Sequence, residues 1–247
     1  MATIAVGDIH GNLPGVQDLL DQIRGEVHAG DTVVFLGDYI DRGADSKGCI
    51  DALIAFRDET DAEVVFLCGN HEDWFLETLR DYATHSWLLG MDGYVTIRSY
   101  SKDAEQAIRD AASASRGAVY GDGFPLPYDL FFAAVPRAHL RFFQELRLYH
   151  QNSDGIYVHA GIDSRVPLDK QTRDAVLFGW GDGGFPRKYT GKDIVLYGHR
   201  NNAELDESGW PHPRREGLTI GLDSSRHRVV TAMRLPDQRV FQSRRYD

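Results

Sequence analysis

Three short stretches of the 247-residue chain set carboxylates and imidazoles directly behind a glycine where an apolar run ends. GDIHG (residues 7–11) follows TIAV, GDYIDRG (residues 37–43) follows TVVFL, and GNHE (residues 69–72) follows VVFLC. His159 ends a fourth run, IYVH, and His199 stands two residues past a fifth, IVLY. A glycine at the end of a strand lets the backbone turn sharply, so the next carboxylate leaves the sheet edge instead of entering a core. Carboxylate oxygen, imidazole nitrogen and the amide oxygen of Asn70 together suit borderline divalent ions such as Mn²⁺, Zn²⁺ or iron. On this ground Asp8 and His10 read as metal ligands. Asp38 stands between the flanking sets, and a carboxylate is the ligand type among them able to bridge two ions, which points to a metal pair. Such pairs acidify water toward neutrality and draw phosphate anions. Arg42, beside Asp41, adds a planar fork matched to phosphate oxygens. His71 is pulled both ways: nearby dications lower its pKa and the Asp41 carboxylate raises it.

Bringing these groups together requires strands whose ends meet. Val16, Leu19, Leu20, Ile23 and Val27 recur at helical spacing after Pro14, which predicts an amphipathic helix behind the first strand. A second helix carries Ile50, Leu53, Ile54 and Phe56, and a third begins near His71 with Phe75, Leu79 and Tyr82 on one face. Three consecutive β-loop-α units predict a parallel or mixed sheet whose loops gather at the carboxyl ends of the strands. From about residue 84 to residue 150 the texture changes to alanine, aromatic and charged residues. PRAHLRFFQEL (residues 136–146) reads there as a helix opened by proline. The expectation is an inserted helical cap with Trp87, Tyr94, Tyr100, Tyr128, Phe131 and Phe132 as its core. The last stretch, LTIGLDSSRHRVVTAMRLPDQRVF, alternates and turns like a β-meander.

The formal charge is −10 and no basic block interrupts it, so a face for tracking a nucleic-acid polymer is not expected. Two cysteines supply no disulfide framework and fit a reducing compartment. The start of the sequence carries no basic or apolar leader and no run approaches a membrane span, so the expected location is cytoplasmic, without a membrane partner. His28, His85, His139, His150, His212 and His227 lack partner spacing and read as solvated or structural. There is no GxxxxGK[ST] loop and no GxSxG elbow, and HEDWF places Phe75 where a zinc-protease helix needs histidine.

The set GDIHG, GDYIDRG, GNHE, YVHAGI (residues 157–162) and YGHR (residues 197–200) resembles the metallophosphoesterases of the phosphoprotein phosphatase type, the calcineurin-like group, over nearly the whole chain and closest to its bacterial branch. The resemblance implies one domain, residues 1–247, with the helical insertion near 84–150. Its fold is a four-layer αββα sandwich of two mixed sheets with flanking helices. It implies that Asp8, His10 and Asp38 bind one divalent ion and that Asp38, Asn70, His159 and His199 bind the other. Manganese is the first choice, with iron or zinc, magnesium, nickel and cobalt as alternatives. It further implies that His71, paired with Asp41, protonates the leaving oxygen and that Arg42 holds the phosphoryl group.

Two departures bear on the substrate. Relatives that act on proteins carry arginine where this chain has Cys68, and another in a tryptophan-rich turn where it reads LFGWGDGG (residues 177–184) with Trp180. Their threonine after the last histidine is Arg200, a positive charge available to the site. A metal-dependent phosphoric ester hydrolase is therefore expected, with phosphoserine or phosphothreonine proteins and peptides as substrate. A dinucleoside polyphosphate such as diadenosine tetraphosphate is the alternative, and a catalytically weak metal-binding regulatory module a second.

Overall fold

The computed structural model describes residues 1–121, 123–179 and 185–246, so Trp180 and the rest of its turn to Gly184 lie outside the described residues. Strand β1 (Thr3–Val6) leads into α1 (Leu13–Arg24), β2 (Thr32–Phe35) into α2 (Ser46–Glu59), and β3 (Glu63–Phe66) into α3 (Asn70–Arg80). Side-chain caps begin the first two helices: Asn12 Oδ1 accepts from the Gly15 amide at 3.0 Å and Asp45 Oδ1 from the Gly48 amide at 2.7 Å. Helix α1 buries Val16, Leu19, Leu20 and Ile23; Val27 lies beyond its end.

Helices α4 (Ser86–Gly90), α5 (Gly93–Tyr100), α6 (Lys102–Ala114), α7 (Tyr128–Ala134) and α8 (Arg137–Gln144) come next. Then follow β4 (Tyr149–Gln151), β5 (Ile156–Val158), α9 (Arg173–Phe178) and β6 (Val195–Tyr197). The chain finishes with β7 (Glu204–Leu205), β8 (Pro211–His212), β9 (Arg214–Glu216), β10 (Thr219–Gly221), β11 (Thr231–Leu235) and β12 (Arg239–Gln242).

The strands form two mixed five-stranded sheets, ordered β12-β11-β1-β2-β3 and β4-β5-β6-β10-β9, besides the small β7-β8 pair. Strands β1, β2 and β3 run parallel and in step, Thr3 opposite Thr32 and Thr32 opposite Glu63. Strands β5, β6 and β10 do the same in the second sheet. Period-two alternation makes the layers. Ala5, Val34, Leu36, Val65 and Leu67 meet Tyr157, Leu196, Ile220 and Leu222 between the sheets. Ile4, Val6, Val33 and Phe35 face the helices. The far side of the second sheet packs Val158, Val195 and Tyr197 under Val176 of α9.

The helices between residues 84 and 150 share their apolar cluster with the outer face of the first sheet: Trp87, Ile97, Tyr128, Phe131 and Phe143 pack in the same core as Phe35 and Phe75. His85 and His139 are tied into it, to the Tyr128 hydroxyl at 3.1 Å and to the Tyr100 hydroxyl at 2.8 Å. The carboxyl-terminal stretch differs from a single meander. Strand β10 pairs parallel with β6 in the second sheet, while β11 and β12 form a hairpin on the first. Leu222 lies between the sheets, where the chain crosses from one to the other.

An ion cluster fastens α6 to α5. Glu105 accepts from Arg98 Nε at 2.8 Å and Nη2 at 2.7 Å, and from Arg109 Nε at 2.7 Å. The Arg98 hydrogen bonds, opposed by burial and reinforced by Arg109, hold the carboxyl at about 2, below its ordinary 4.5. A depressed carboxyl stabilises the fold above its unfolded pKa and loses that contribution as pH falls toward the folded one. Glu105→Gln is expected to lower Tm at pH 7 by about 2–4 °C, on the order of 1 kcal/mol in a chain this size. In a melting series the gap narrows below pH 4.5 toward pH 2. A gap independent of pH would assign the loss to packing.

Candidate metal centre and acid–base pair

The β1, β2 and β3 loops deliver Asp8 and His10, then Asp38, Asp41 and Arg42, then Asn70 and His71. The second sheet brings His159 from the end of β5 and His199 from beyond β6. Five of these residues adopt left-handed backbone: His10 (φ 47°), Asp38 (53°), Asp41 (68°), Arg42 (65°) and His199 (62°). Such conformations in non-glycine residues persist where the surroundings over-determine them, and they concentrate at functional sites. Two glycines permit the closest approaches: a side chain at Gly69 would strike the Asp38 carboxylate, and one at Gly198 the Asp8 carboxylate.

Asp38 sits between two imidazole pairs. Its Oδ2 lies 3.4 Å from His10 Nε2 and 3.9 Å from His71 Nε2, and its Oδ1 lies 3.4 Å from His159 Nε2. Among the described residues the compact donor groups are His10, Asp38 and His71 on one side and Asp38, His159 and His199 on the other. Asp8 Oδ2 approaches His10 Nε2 to 3.8 Å, and both its oxygens accept from the His199 amide, at 3.1 and 3.2 Å. Asn70 Oδ1 is 2.9 Å from His159 Nε2.

The donor chemistry suits cations. His10 and His159 bond the Ile40 and Leu36 carbonyls through Nδ1, at 3.0 and 2.8 Å, so each Nδ1 carries the proton and each Nε2 lone pair faces Asp38. Acceptor then faces acceptor across the site, and a positive ion satisfies both. Burial lowers the His10 and His199 pKa values to about 3, which keeps those rings neutral as metal ligation requires. Burial, then the Asp223 and Asp38 charges, push Asp8 well up, an electrostatic demand that cations relieve.

His71 and Asp41 form a second unit. His71 Nδ1 lies 2.7 Å from Asp41 Oδ2, and the carboxylate also accepts from Trp87 Nε1 at 2.9 Å and Thr96 Oγ1 at 2.6 Å. Burial alone would lower the His71 pKa; the Asp38 charge and the bonded Asp41 carboxylate outweigh it and raise it. The Arg42 guanidinium spans the pocket, Nη1 2.9 Å from His10 Nε2 and Nη2 3.1 Å from His71 Nε2.

Four contributors escape the sequence pattern as site residues. Glu72 Oε2 accepts the Asp38 and Gly69 amides at 2.8 and 3.0 Å, and its Oε1 accepts those of Tyr39 and Ile40 at 2.8 and 3.2 Å. Asp223 is fully buried and accepts from the Asn201 amide and from Ser225 N at 2.9 Å, bracing the His199 loop. Its segment, LTIGLD, repeats the apolar run ending in aspartate, a signal that marks it. Trp87 and Thr96 have no local signal. Arg200 reaches the site edge: its Nε donates to His199 Nε2 at 3.1 Å and its Nη2 to the Phe178 carbonyl at 3.2 Å. Cys68 is buried against Leu177 and Phe178, and burial pushes its thiol well above the usual range.

A family model described as calcineurin-like phosphoesterase matches residues 1–216. Over 70 residues, 27% of the chain, the sequence is 39% identical to serine/threonine-protein phosphatase BSL2 of Arabidopsis thaliana, of which it spans only 7%. The whole chain superposes on 94% of a crystal structure provisionally assigned as a diadenosine tetraphosphatase, with TM-score 0.64 and 20% identity. Over 98% of its length it matches 77% of a cold-active protein-tyrosine phosphatase from a psychrophilic Shewanella species, with TM-score 0.59 and 15% identity. At these identities the two structures establish the fold alone. With the family model covering all but the last strands, two mixed sheets and donor groups fit for the family's divalent metal pair, the chain belongs to the calcineurin-like phosphoesterases.

Proposed function

We propose that this chain hydrolyses phosphate monoesters with two divalent ions, manganese first among them, and that phosphoserine and phosphothreonine in proteins are the first substrates to test. One observation carries the reading: Asp38 turns one oxygen to His10 and the other to His159, so a single carboxylate serves two donor groups. Ions held by Asp8, His10 and Asp38 on one side, and by Asp38, Asn70, His159 and His199 on the other, supply Lewis acidity and make hydroxide accessible near neutral pH.

The chain's own residues supply the rest. Arg42 grips phosphoryl oxygens through both arms of its fork. Because those arms otherwise donate to His10 and His71, substrate binding frees His71 Nε2. Asp41 holds Nδ1–H of His71 and fixes the ring; Nε2, once free of Arg42, takes up a proton from water, which the raised pKa favours, and gives it to the departing alkoxide. Thr96 and Trp87 hold Asp41 in turn, as positioning residues.

The first test is hydrolysis of p-nitrophenyl phosphate: chelation abolishes it, Mn²⁺ restores it, and Asp38→Asn leaves no activity at any Mn²⁺ concentration. No turnover with any divalent ion, despite bound metal, would reduce the chain to a regulatory module. A preference for diadenosine tetraphosphate over phosphoserine peptide would change the substrate but not the chemistry.

The second test separates acid catalysis from architecture. His71→Asn is expected to lower kcat on a phosphoserine peptide, a poor leaving group, by about 10²-fold or more, and far less on p-nitrophenyl phosphate. Thr96→Val follows the same leaving-group dependence with a loss of about tenfold, since it removes one charge-assisted bond to Asp41. Equal losses on both substrates would assign Thr96 to folding alone.

A further inference from the structure

Just past β6, His199, Arg200 and Asn201 hold φ of 62°, 62° and 46°, consecutive non-glycine residues in the left-handed region. Such residues occur singly as a rule, because each Cβ crowds the following carbonyl, and a run of them persists only where its surroundings impose it. His199, a donor of the metal centre, opens the run. The imidazoles of His10 and His159 are each fixed at Nδ1 by a backbone carbonyl, the usual way an outer partner aims a metal-binding ring. The His199 ring meets instead the guanidinium of Arg200, an exposed side chain, so its aim depends on the turn that carries it.

Side chains brace that turn from both sheets. Asp8, after β1, accepts the His199 amide, and Asp223, after β10, accepts the Asn201 amide. Asn202 grips the carbonyls on either side of His199: its Nδ2 donates to Gly198 O at 2.7 Å and to His199 O at 3.2 Å. Its Oδ1 accepts the Asp223 amide at 2.8 Å, so the turn and the end of β10 are tied in both directions. Turned over, the side-chain amide would set its oxygen against two carbonyls and its NH₂ against an N–H, so these partners admit one orientation. Asn202 is 8% exposed, and Gly221 makes room for it. Gly221 pairs with Tyr197 where β10 lies beside β6, and a Cβ there would stand 2.5 Å from Asn202 Cγ.

We propose that Asn202 is a positioning residue of the metal centre: by holding both carbonyls beside His199 it aims that imidazole toward Asp38, and so sets the affinity of the His159–His199 side for its ion. It rests on the metal-pair reading of the site and adds to it a residue that touches neither ion nor substrate. Without the side-chain amide, the two carbonyls lose their donor and the run relaxes from left-handed backbone, which swings His199 off its aim. Asp8, His10 and Asp38 are held by contacts of their own, so the other ion keeps its ligands.

Titration of Mn²⁺ into the folded chain stripped of divalent ions reads this without turnover. The wild type is expected to take up a pair of ions and to show the magnetically coupled electron paramagnetic resonance spectrum of a manganese pair. Asn202→Ala is expected to bind one ion within about threefold of wild type and the other at least about tenfold weaker, the scale for loss of an outer partner of a ligand. At matched Mn²⁺ its spectrum is then that of a single ion. His199→Ala loses the same ion, and adding Asn202→Ala to it costs nothing more, because the two side chains act through one contact. Gly221→Ala, whose methyl displaces the Asn202 amide, repeats the pattern with Asn202 present and carries the test if Asn202→Ala does not fold. Equal weakening of both ions, unchanged binding in either single variant, or losses that multiply in the double variant overturn the proposal, as does failure of both Asn202→Ala and Gly221→Ala to fold. A wild type that binds fewer than two ions sinks the metal-pair reading along with it. Two ions without p-nitrophenyl phosphate hydrolysis sink the hydrolase reading and leave the role of Asn202 standing.

Discussion

Four backbone amides from two loops converge on one buried carboxylate, Glu72, and the position of Asp38 depends on it. Burial, then the Asp38 charge, push the Glu72 pKa up to about 8, yet all four contacts come from N–H groups that only an acceptor satisfies. Removing that acceptor strands donors in the interior at about 1–3 kcal/mol each. The clamp therefore joins the loop after β2 to the start of α3 and holds the left-handed backbone of Asp38 between them. Parallel pairing of β2 with β3, in step from Thr32 to Phe35, sets the two loops side by side so that one side chain reaches both. The place of Asp38 between the two donor groups is thus a consequence of strand register acting through a single acid.

The helices between residues 84 and 150 act on the centre from the opposite direction. They pack on the outer face of the first sheet, and two of their side chains, Trp87 and Thr96, end on the Asp41 carboxylate. Thr96 also accepts the Asp41 amide at 2.9 Å, so the left-handed turn at Asp41 is fixed through both backbone and side chain. An aromatic core in which Phe75 meets Trp87 edge-on at 5.1 Å makes that support stiff. Orientation of His71 therefore rests on side chains 46 and 55 residues away from Asp41 in the chain.

What the sequence discloses follows from how local each cause is. Strand, glycine and acid are neighbours in the chain, so GDIHG, GDYIDRG and GNHE mark Asp8, His10, Asp38, Asn70 and His71 before any fold is known, and period-two alternation marks the layers. His159 and His199 are visible as strand-end histidines, though only the meeting of two sheets brings them to Asp38. Asp223 repeats the same local pattern but falls in a stretch that reads as a meander, and the crossing between sheets at Leu222 is what carries it to the His199 loop. Trp87 and Thr96 resemble ordinary helix residues because their partner is long-range.

The centre also carries a debt of charge that governs its chemistry. Asp8, Asp38, Asp41, Glu72 and Asp223 are all buried, and the two carboxylates not fully occupied by amide, indole or hydroxyl donors are Asp8 and Asp38. Neutral imidazoles bring lone pairs to the same space, and the guanidinium groups of Arg42 and Arg200 contact them. Buried carboxylates are tolerated when paired or bound to metal, and otherwise they take up protons. The upward push on Asp8 by burial, Asp223 and Asp38 is that demand expressed as a pKa. Divalent ions meet it without protons and leave a centre positive enough to hold a phosphate. The surplus acidity that makes the pocket costly to bury is therefore what suits it to cations, and Arg42, bonded to His10 and His71, sets a guanidinium at its edge.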